Sequence, residues 1–216
     1  MPSKTRGTKP IVVVKLGGSL MASPHLSIWL ATLSASRGAA VIVAGGGSFA
    51  DAVRIAQETT PFDDRAAHRM AILAMEQYAI MLAALEPGLR PAASRTAITA
   101  AARAGATPIW LPAQMSFDAP DIPESWEVTS DSLAVWLARK LGLAQVLLVK
   151  SAALPMERVP AAELAEVGII DPVLPRFLAG SGIECRCLEA AGAPAFAAAL
   201  AQGRLAGTLL SPDEQA

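Results

Sequence analysis

Histidine and cysteine are scarce in this chain, with two of each among 216 residues. The histidines, His25 and His68, form no HExxH pair, which removes the usual support for a zinc hydrolase. Cys185 and Cys187 are the only thiols and stand one residue apart, on the same side of any strand that spans them. They support neither a disulfide framework nor a cysteine-rich metal site, so a reduced, cytoplasmic setting is expected. No serine occupies a GxSxG elbow, and no other nucleophile and base pair is visible. An excess of one charge sign is also missing, since 18 basic residues face 19 acidic ones. The chain therefore has no overall field for nucleic acid or an anionic membrane, and any anion must be held by a local site. Although 53% of residues are hydrophobic, no apolar run approaches the roughly 20 residues of a membrane span. Residues 1–10 are polar and basic without a hydrophobic segment behind them, which reads as a flexible tail with no export signal.

What the chain does contain is a repeated local pattern. Ile11 to Leu16 is apolar apart from Lys15 and stops at Gly17 and Gly18, as a buried strand running into a tight turn would. His25 to Ser36 has helical spacing, with Leu26, Trp29, Leu30 and Leu33 on one side. Ala39 to Ala44 reads as a second buried strand, Gly45, Gly46 and Gly47 follow it, and Ser48 to Glu58 is again helical. Strand, glycine turn and helix repeated within sixty residues indicate βαβ crossovers. The expected fold is a three-layer αβα sandwich around a mostly parallel sheet, forming a single domain over residues 11–216.

Further along, Asp63 to Leu85 predicts a helix of about six turns. Met70, Leu73, Ala74, Gln77 and Met81 give it a mostly apolar seam for a core or a subunit interface. A short helix over Thr96 to Ala104 and a strand over Thr107 to Leu111 come next. Pro112 to Trp126, with three prolines, is expected to be a loop across the mouth of the site. A helix from Ser132 to Leu141, introduced by Thr129-Ser130-Asp131, leads to a strand at Gln145 to Lys150. Pro155 to Pro160 reads as loop, Ala161 to Glu166 as helix, and Ile183 to Leu188 as strand. A last helix from Gly192 to about Gln202 precedes a final strand at Gly207 to Leu210.

The chemistry centres on Lys15. A lysine in a buried strand is costly unless an anion meets it. It either neutralises an internal carboxylate or reaches a phosphoryl group held by the backbone N–H groups of Gly17, Gly18 and Ser19. Gly45-Gly46-Gly47-Ser48 supplies a second cradle, opening a helix with unpaired N–H donors. Neither loop has the Walker or the dinucleotide spacing. Asp131 is the candidate carboxylate to orient Lys15, or else simply part of a helix cap. His68 and Arg69 read as exposed surface by default, with Arg69 a candidate to hold a substrate phosphate or carboxylate and Arg54 and Arg65 weaker ones.

The runs Val14-Lys15-Leu16-Gly17-Gly18-Ser19, Val43-Ala44-Gly45-Gly46-Gly47-Ser48-Phe49-Ala50 and Thr129-Ser130-Asp131-Ser132-Leu133 together resemble the amino acid kinase superfamily. The segment Glu124-Ser125-Trp126-Glu127-Val128 with the run after it is similar to the aminomethylfuranmethyl phosphate kinase branch of methanofuran and C1 cofactor biosynthesis. This resemblance implies ATP-dependent transfer to a small anionic acceptor, with Mg2+ carried by the nucleotide and no protein metal site. It places Lys15 and Asp131 in catalysis, Gly17, Gly18 and Ser19 at the nucleotide phosphates, and Gly45, Gly46, Gly47, Arg69 and Ser130 at the acceptor. Residues 11–128 would form the acceptor half and 129–216 the nucleotide half, within a homodimer or larger homo-oligomer.

Two departures are visible. Where many relatives have Thr-Asp-Val-Asp-Gly after the strand Val146 to Val149, this chain has Lys150-Ser151-Ala152-Ala153-Leu154. Relatives also usually carry a later catalytic lysine, whereas none follows Lys150 here. Either Lys150, with Ser151 at the nucleotide, supplies that charge from another direction, or the chain is a noncatalytic binding or scaffold protein on the same fold.

Overall fold

A computed structural model describes residues 11–154 and 157–212. The tail expected at 1–10 lies outside the described residues. The strands are β1 (Val12–Leu16), β2 (Ala40–Ala44), β3 (Leu89–Ala92), β4 (Thr107–Trp110), β5 (Gln145–Lys150), β6 (Arg158–Pro160), β7 (Glu184–Glu189) and β8 (Thr208–Ser211). They form one sheet in the order β3-β4-β2-β1-β5-β7-β8-β6. Pairing is parallel throughout except between β7 and β8. The helices are α1 (Leu26–Ala35), α2 (Gly47–Thr59), α3 (Asp64–Leu85), α4 (Arg95–Arg103), α5 (Ala113–Ser116), α6 (Ser130–Leu141), α7 (Ala161–Glu166), α8 (Leu174–Leu178) and α9 (Ala193–Leu200).

Every residue of β1 and β2 is buried, as continuous apolar strands covered on both faces must be. Val13, Val41, Val146 and Leu148 pack with α6 and α8 on one face. Val12, Val14, Ile42 and Val149 pack with α1 and α9 on the other. Helices on both faces complete the expected three-layer sandwich. Cys185 and Cys187 are buried on the α6 face. Burial pushes both thiols up, Cys187 to about 12, which leaves them unreactive.

The edges depart from expectation. β3 was not apparent in Leu-Arg-Pro-Ala, and Arg158–Pro160, expected as loop, is β6; Pro155 and Met156 before it lie outside the described residues. Both strands contain proline and both are outermost in the sheet. An edge strand has one side unpaired, so the missing proline N–H breaks no ladder. Within the expected 112–126 loop, Ala113–Ser116 forms the short helix α5. The short helix α8 was also unforeseen, its first turn occupied by Pro175. The face of α3 differs as well: Ile72, Met75, Tyr78 and Leu82 are buried with Ala74, whereas Met70, Leu73 and Gln77 are exposed. The predicted seam lies roughly one residue around the helix from the one that packs.

Candidate active site

Strand alternation positions the cations. Lys15 follows Val13 on the α6 face of β1, and Lys150 follows Val146 and Leu148 on the same face of β5. β1 and β5 are parallel neighbours, with Lys15 opposite Leu148. The chain runs from β1 towards β2 on one side and returns to β5 on the other. The two lysines thus flank the point where strand order reverses, at the carboxyl ends of the strands, where open α/β sheets bind ligands.

Asp131 meets both from the first turn of α6. Its Oδ1 lies 2.8 Å from Lys15 Nζ. That contact is a charge pair between two buried groups. Its Oδ2 lies 2.5 Å from Lys150 Nζ. The three side chains are only 8%, 5% and 11% exposed, in the order Lys15, Asp131, Lys150. Burial lowers the Lys15 ammonium below its ordinary value and Lys150 adds to this, while Asp131 opposes both. Burial would raise the Asp131 carboxyl, but the two lysines outweigh it and hold it below 3.8. Neutralising an internal carboxylate needs one ammonium. The second gives the cluster more ammonium than Asp131 alone neutralises, with the buried Asp171 carboxylate also acting on Lys15.

The glycine loops close around this cluster. A β-carbon on Gly17 would lie 3.5 Å from Lys15 Nζ, so the ammonium rests against that turn. One on Gly18 would come within 2.4 Å of Gly47 N, and one on Gly45 within 2.5 Å of Gly18 N. The two loops therefore touch through their backbones, and this contact requires glycine at both places. Gly47 also has a φ of +54°, a conformation most side chains avoid. Ser19 Oγ is 2.8 Å from Ser151 Oγ, which ties the turn after β1 to the turn after β5. A separate hollow of about 300 Å³ is lined by Leu154, Cys187, Leu188, Glu189, Ala191 and Gly192, with Gly207 and Thr208.

On the other side of the loops lies a cavity of about 420 Å³. Gly18, Ser19, Gly45, Gly46, Gly47 and Ser130 line it, as do Arg54, His68, Met75, Trp126, Thr129 and Leu133. Arg54 stacks 4.5 Å above the Trp126 ring and bonds Asp51 at 3.0 Å. Trp126 Nε1 donates to Gln57 Oε1 at 2.7 Å, which fixes the ring. Arg69 is not on this wall. It pairs with Asp118 and, at 2.8 Å, with Glu124, and Arg65 joins the same acids. These two arginines anchor the 112–126 segment to α3, and of the three candidate arginines it is Arg54 that faces the cavity.

A model of the amino acid kinase family matches residues 10–153. The chain belongs to this family. No curated protein matches the chain. Among solved structures, the uridylate kinase from Archaeoglobus fulgidus is 16% identical, with 93% of this chain and 99% of that chain covered and a TM-score of 0.69. The UMP kinase from Bacillus anthracis gives 14% identity, coverages of 94% and 96%, and a TM-score of 0.71. That from Ureaplasma parvum gives 14%, 94% and 99%, and 0.66. At such identities the likeness establishes the amino acid kinase fold. Membership of the family supports phosphotransfer.

Beside Asp131, Asp171 is a buried residue that the sequence did not reveal. Its carboxylate accepts from Thr129 N and Thr129 Oγ1, both at 3.0 Å. It also accepts from Ser132 N at 2.9 Å, Ser132 Oγ at 2.5 Å and Leu174 N at 2.8 Å. Burial, then the charge of Asp131, push this carboxyl up; the donors from Ser132 and Thr129 pull it back. Asp171 clamps the turn that carries Ser130 and Asp131. Its one sequence signal is an acid within Ile-Ile-Asp-Pro, which any helix cap before α8 would also explain. Asp171→Ala leaves five donors without their acceptor and is expected to cost about 3 kcal/mol or more. A urea titration checks this, and a loss under about 1 kcal/mol would mean that the turn holds itself.

Proposed function

We propose that this chain is an ATP-dependent kinase acting on a small phosphate-bearing acceptor. The acceptor class is aminomethylfuranmethyl phosphate or a related intermediate of methanofuran and C1 cofactor biosynthesis. The observation that carries this reading is the pair of buried ammonium groups sharing one carboxylate beside two touching glycine loops. A second buried ammonium beside the backbone of two glycine loops is a seat for a reacting anion.

Lys15 stabilises charge on the transferred phosphoryl group, Asp131 holds Lys15 and Lys150 in place, and Lys150 supplies the charge that relatives take from a later lysine. Gly17, Gly18, Ser19 and Ser151 hold the nucleotide phosphates, and the 300 Å³ hollow lies where residues 129–216 would take the base. Gly45, Gly46, Gly47 and Ser130 hold the acceptor in the cavity of about 420 Å³, with Arg54 in the place first given to Arg69. An acceptor phosphate oxygen bonds the γ-phosphorus, the bond to the β,γ-bridging oxygen breaks, and ADP leaves. An acceptor that is already an anion needs no strong base, so alignment and charge carry the rate. Mg2+ would enter on the nucleotide. Met70, Leu73 and Ile80 on α3, all exposed, are the face through which a homodimer would form.

Lys150-Ser151-Ala152-Ala153-Leu154, lacking the acids of other family members, favours a second reading, a noncatalytic binding protein. Phosphorus NMR of the protein with Mg-ATP and aminomethylfuranmethyl phosphate separates the two. The kinase reading expects a new diphosphate and ADP. Saturable binding of the acceptor without either product would favour the second.

A further inference from the structure

One imidazole on the wall of the acceptor cavity has no role in the chemistry above. His68 lines that cavity and is 3% exposed. Its Nδ1 lies 3.0 Å from the carbonyl oxygen of Ser125. A carbonyl only accepts, so Nδ1 carries the proton. Burial lowers the ring's pKa despite that bond and the nearby Glu124, and Arg69 lowers it further, so the ring is neutral. Nε2 is then a lone pair, buried, with no partner among the described residues. Such an atom is costly unless a donor reaches it, and the cavity that His68 lines is the space from which a small turn of the ring would let one do so. Two polar groups that share the cavity wall are engaged elsewhere: Arg54 with Asp51 and Trp126, and the Thr129 hydroxyl with Asp171. A neutral acceptor is also the wrong partner for a phosphate oxygen.

We propose that Nε2 of His68 receives an N–H or O–H donor on the organic part of the acceptor, making His68 the residue that selects among phosphate monoesters. This rests on the cavity being the acceptor site. The glycine loops bind what such monoesters share, and His68 reads what distinguishes them. A site built to accept a hydrogen bond rejects an analogue that lacks the donor far more strongly than it rejects a change in size.

The test uses three probes titrated calorimetrically into the full chain: aminomethylfuranmethyl phosphate, its hydroxymethyl counterpart and its methyl counterpart. The wild type is expected to bind an amine or hydroxyl probe about ten- to a hundredfold more tightly than the methyl probe. The better of the two polar probes identifies the donor. His68→Leu should lose that preference, and His68→Gln, whose side-chain oxygen can accept, should recover most of it. The nitrogen NMR shift of Nε2 should move with the preferred probe and not with the methyl one, a measurement that stands even if a variant fails to fold. Equal affinity of the wild type for all three probes, or a preference that survives in folded His68→Leu, overturns the assignment. So does failure of every probe to bind. Selective binding without phosphoryl transfer supports the role of His68 and instead overturns the kinase reading.

Discussion

Lys15→Met is expected to reduce turnover by about a thousandfold or more while the protein stays folded. The substitution keeps most of the side-chain volume and discards the charge. If Lys15 stabilises the transferred phosphoryl group, that contribution is made mostly in the transition state, so kcat falls and acceptor binding changes little. The fold survives because Asp131 keeps its contact with Lys150 at 2.5 Å. Removing one of two ammonium groups leaves a one-to-one pair and relieves the desolvation of the other. Stability should be unchanged or higher by about 1 kcal/mol. Steady-state kinetics and a urea titration on the same preparation provide both readings. A variant that keeps more than about a tenth of the activity would remove Lys15 from the chemistry.

Asp131→Asn is expected to have the reverse profile in stability and the same one in activity. It leaves two buried ammonium groups facing each other with only a neutral amide between them, a loss of about 3–5 kcal/mol. The pH dependence follows from the directions of the shifts. Asp131 is held below 3.8 in the fold. Its contribution is therefore complete above that value and is lost as pH falls through the lower folded one. The variant should lack this acid-side loss. Lys15 already sits below 10.5, and without Asp131 it should sit lower still. The unfolded chain then holds more protons than the folded one in the alkaline range, so the variant should gain stability as pH rises towards 10.5. Urea midpoints across pH measure this, and a variant within about 0.5 kcal/mol of wild type at neutral pH would show that the lysines do not need the carboxylate.

Much of the site was legible because its signals are local. A lysine at the end of an apolar strand, directly before Gly17 and Gly18, is unusual on solvation grounds alone. The order of the two glycine loops and Thr129-Ser130-Asp131 then carried the family resemblance. Other assignments depended on helix rotation. Arg54, Arg65 and Arg69 are indistinguishable as residue types, yet only Arg54 lines the cavity while the other two hold Asp118 and Glu124. His68 is buried because α3 turns the face of Ile72 and Met75 inward, about one residue around from the seam that its methionines suggested. Methionine and alanine fit inside or outside a helix, and so mark its rotation poorly. The proline-bearing edge strands escaped for a related reason, since nothing within four residues says that a segment has a neighbour on one side only.

From its amino acids alone, the chain determined a layered α/β architecture, the turns that bring amide groups together, and a cation too costly to bury without an anion. These follow from short-range geometry and solvation, which neighbouring residues set. The tertiary structure decided that Lys150 shares Asp131 with Lys15, that Asp171 anchors the start of the Asp131 helix through bonds spanning 39 and 42 positions along the chain, and which arginine and histidine line the cavity. Each depends on strand order and helix orientation, which the packing of the whole chain selects.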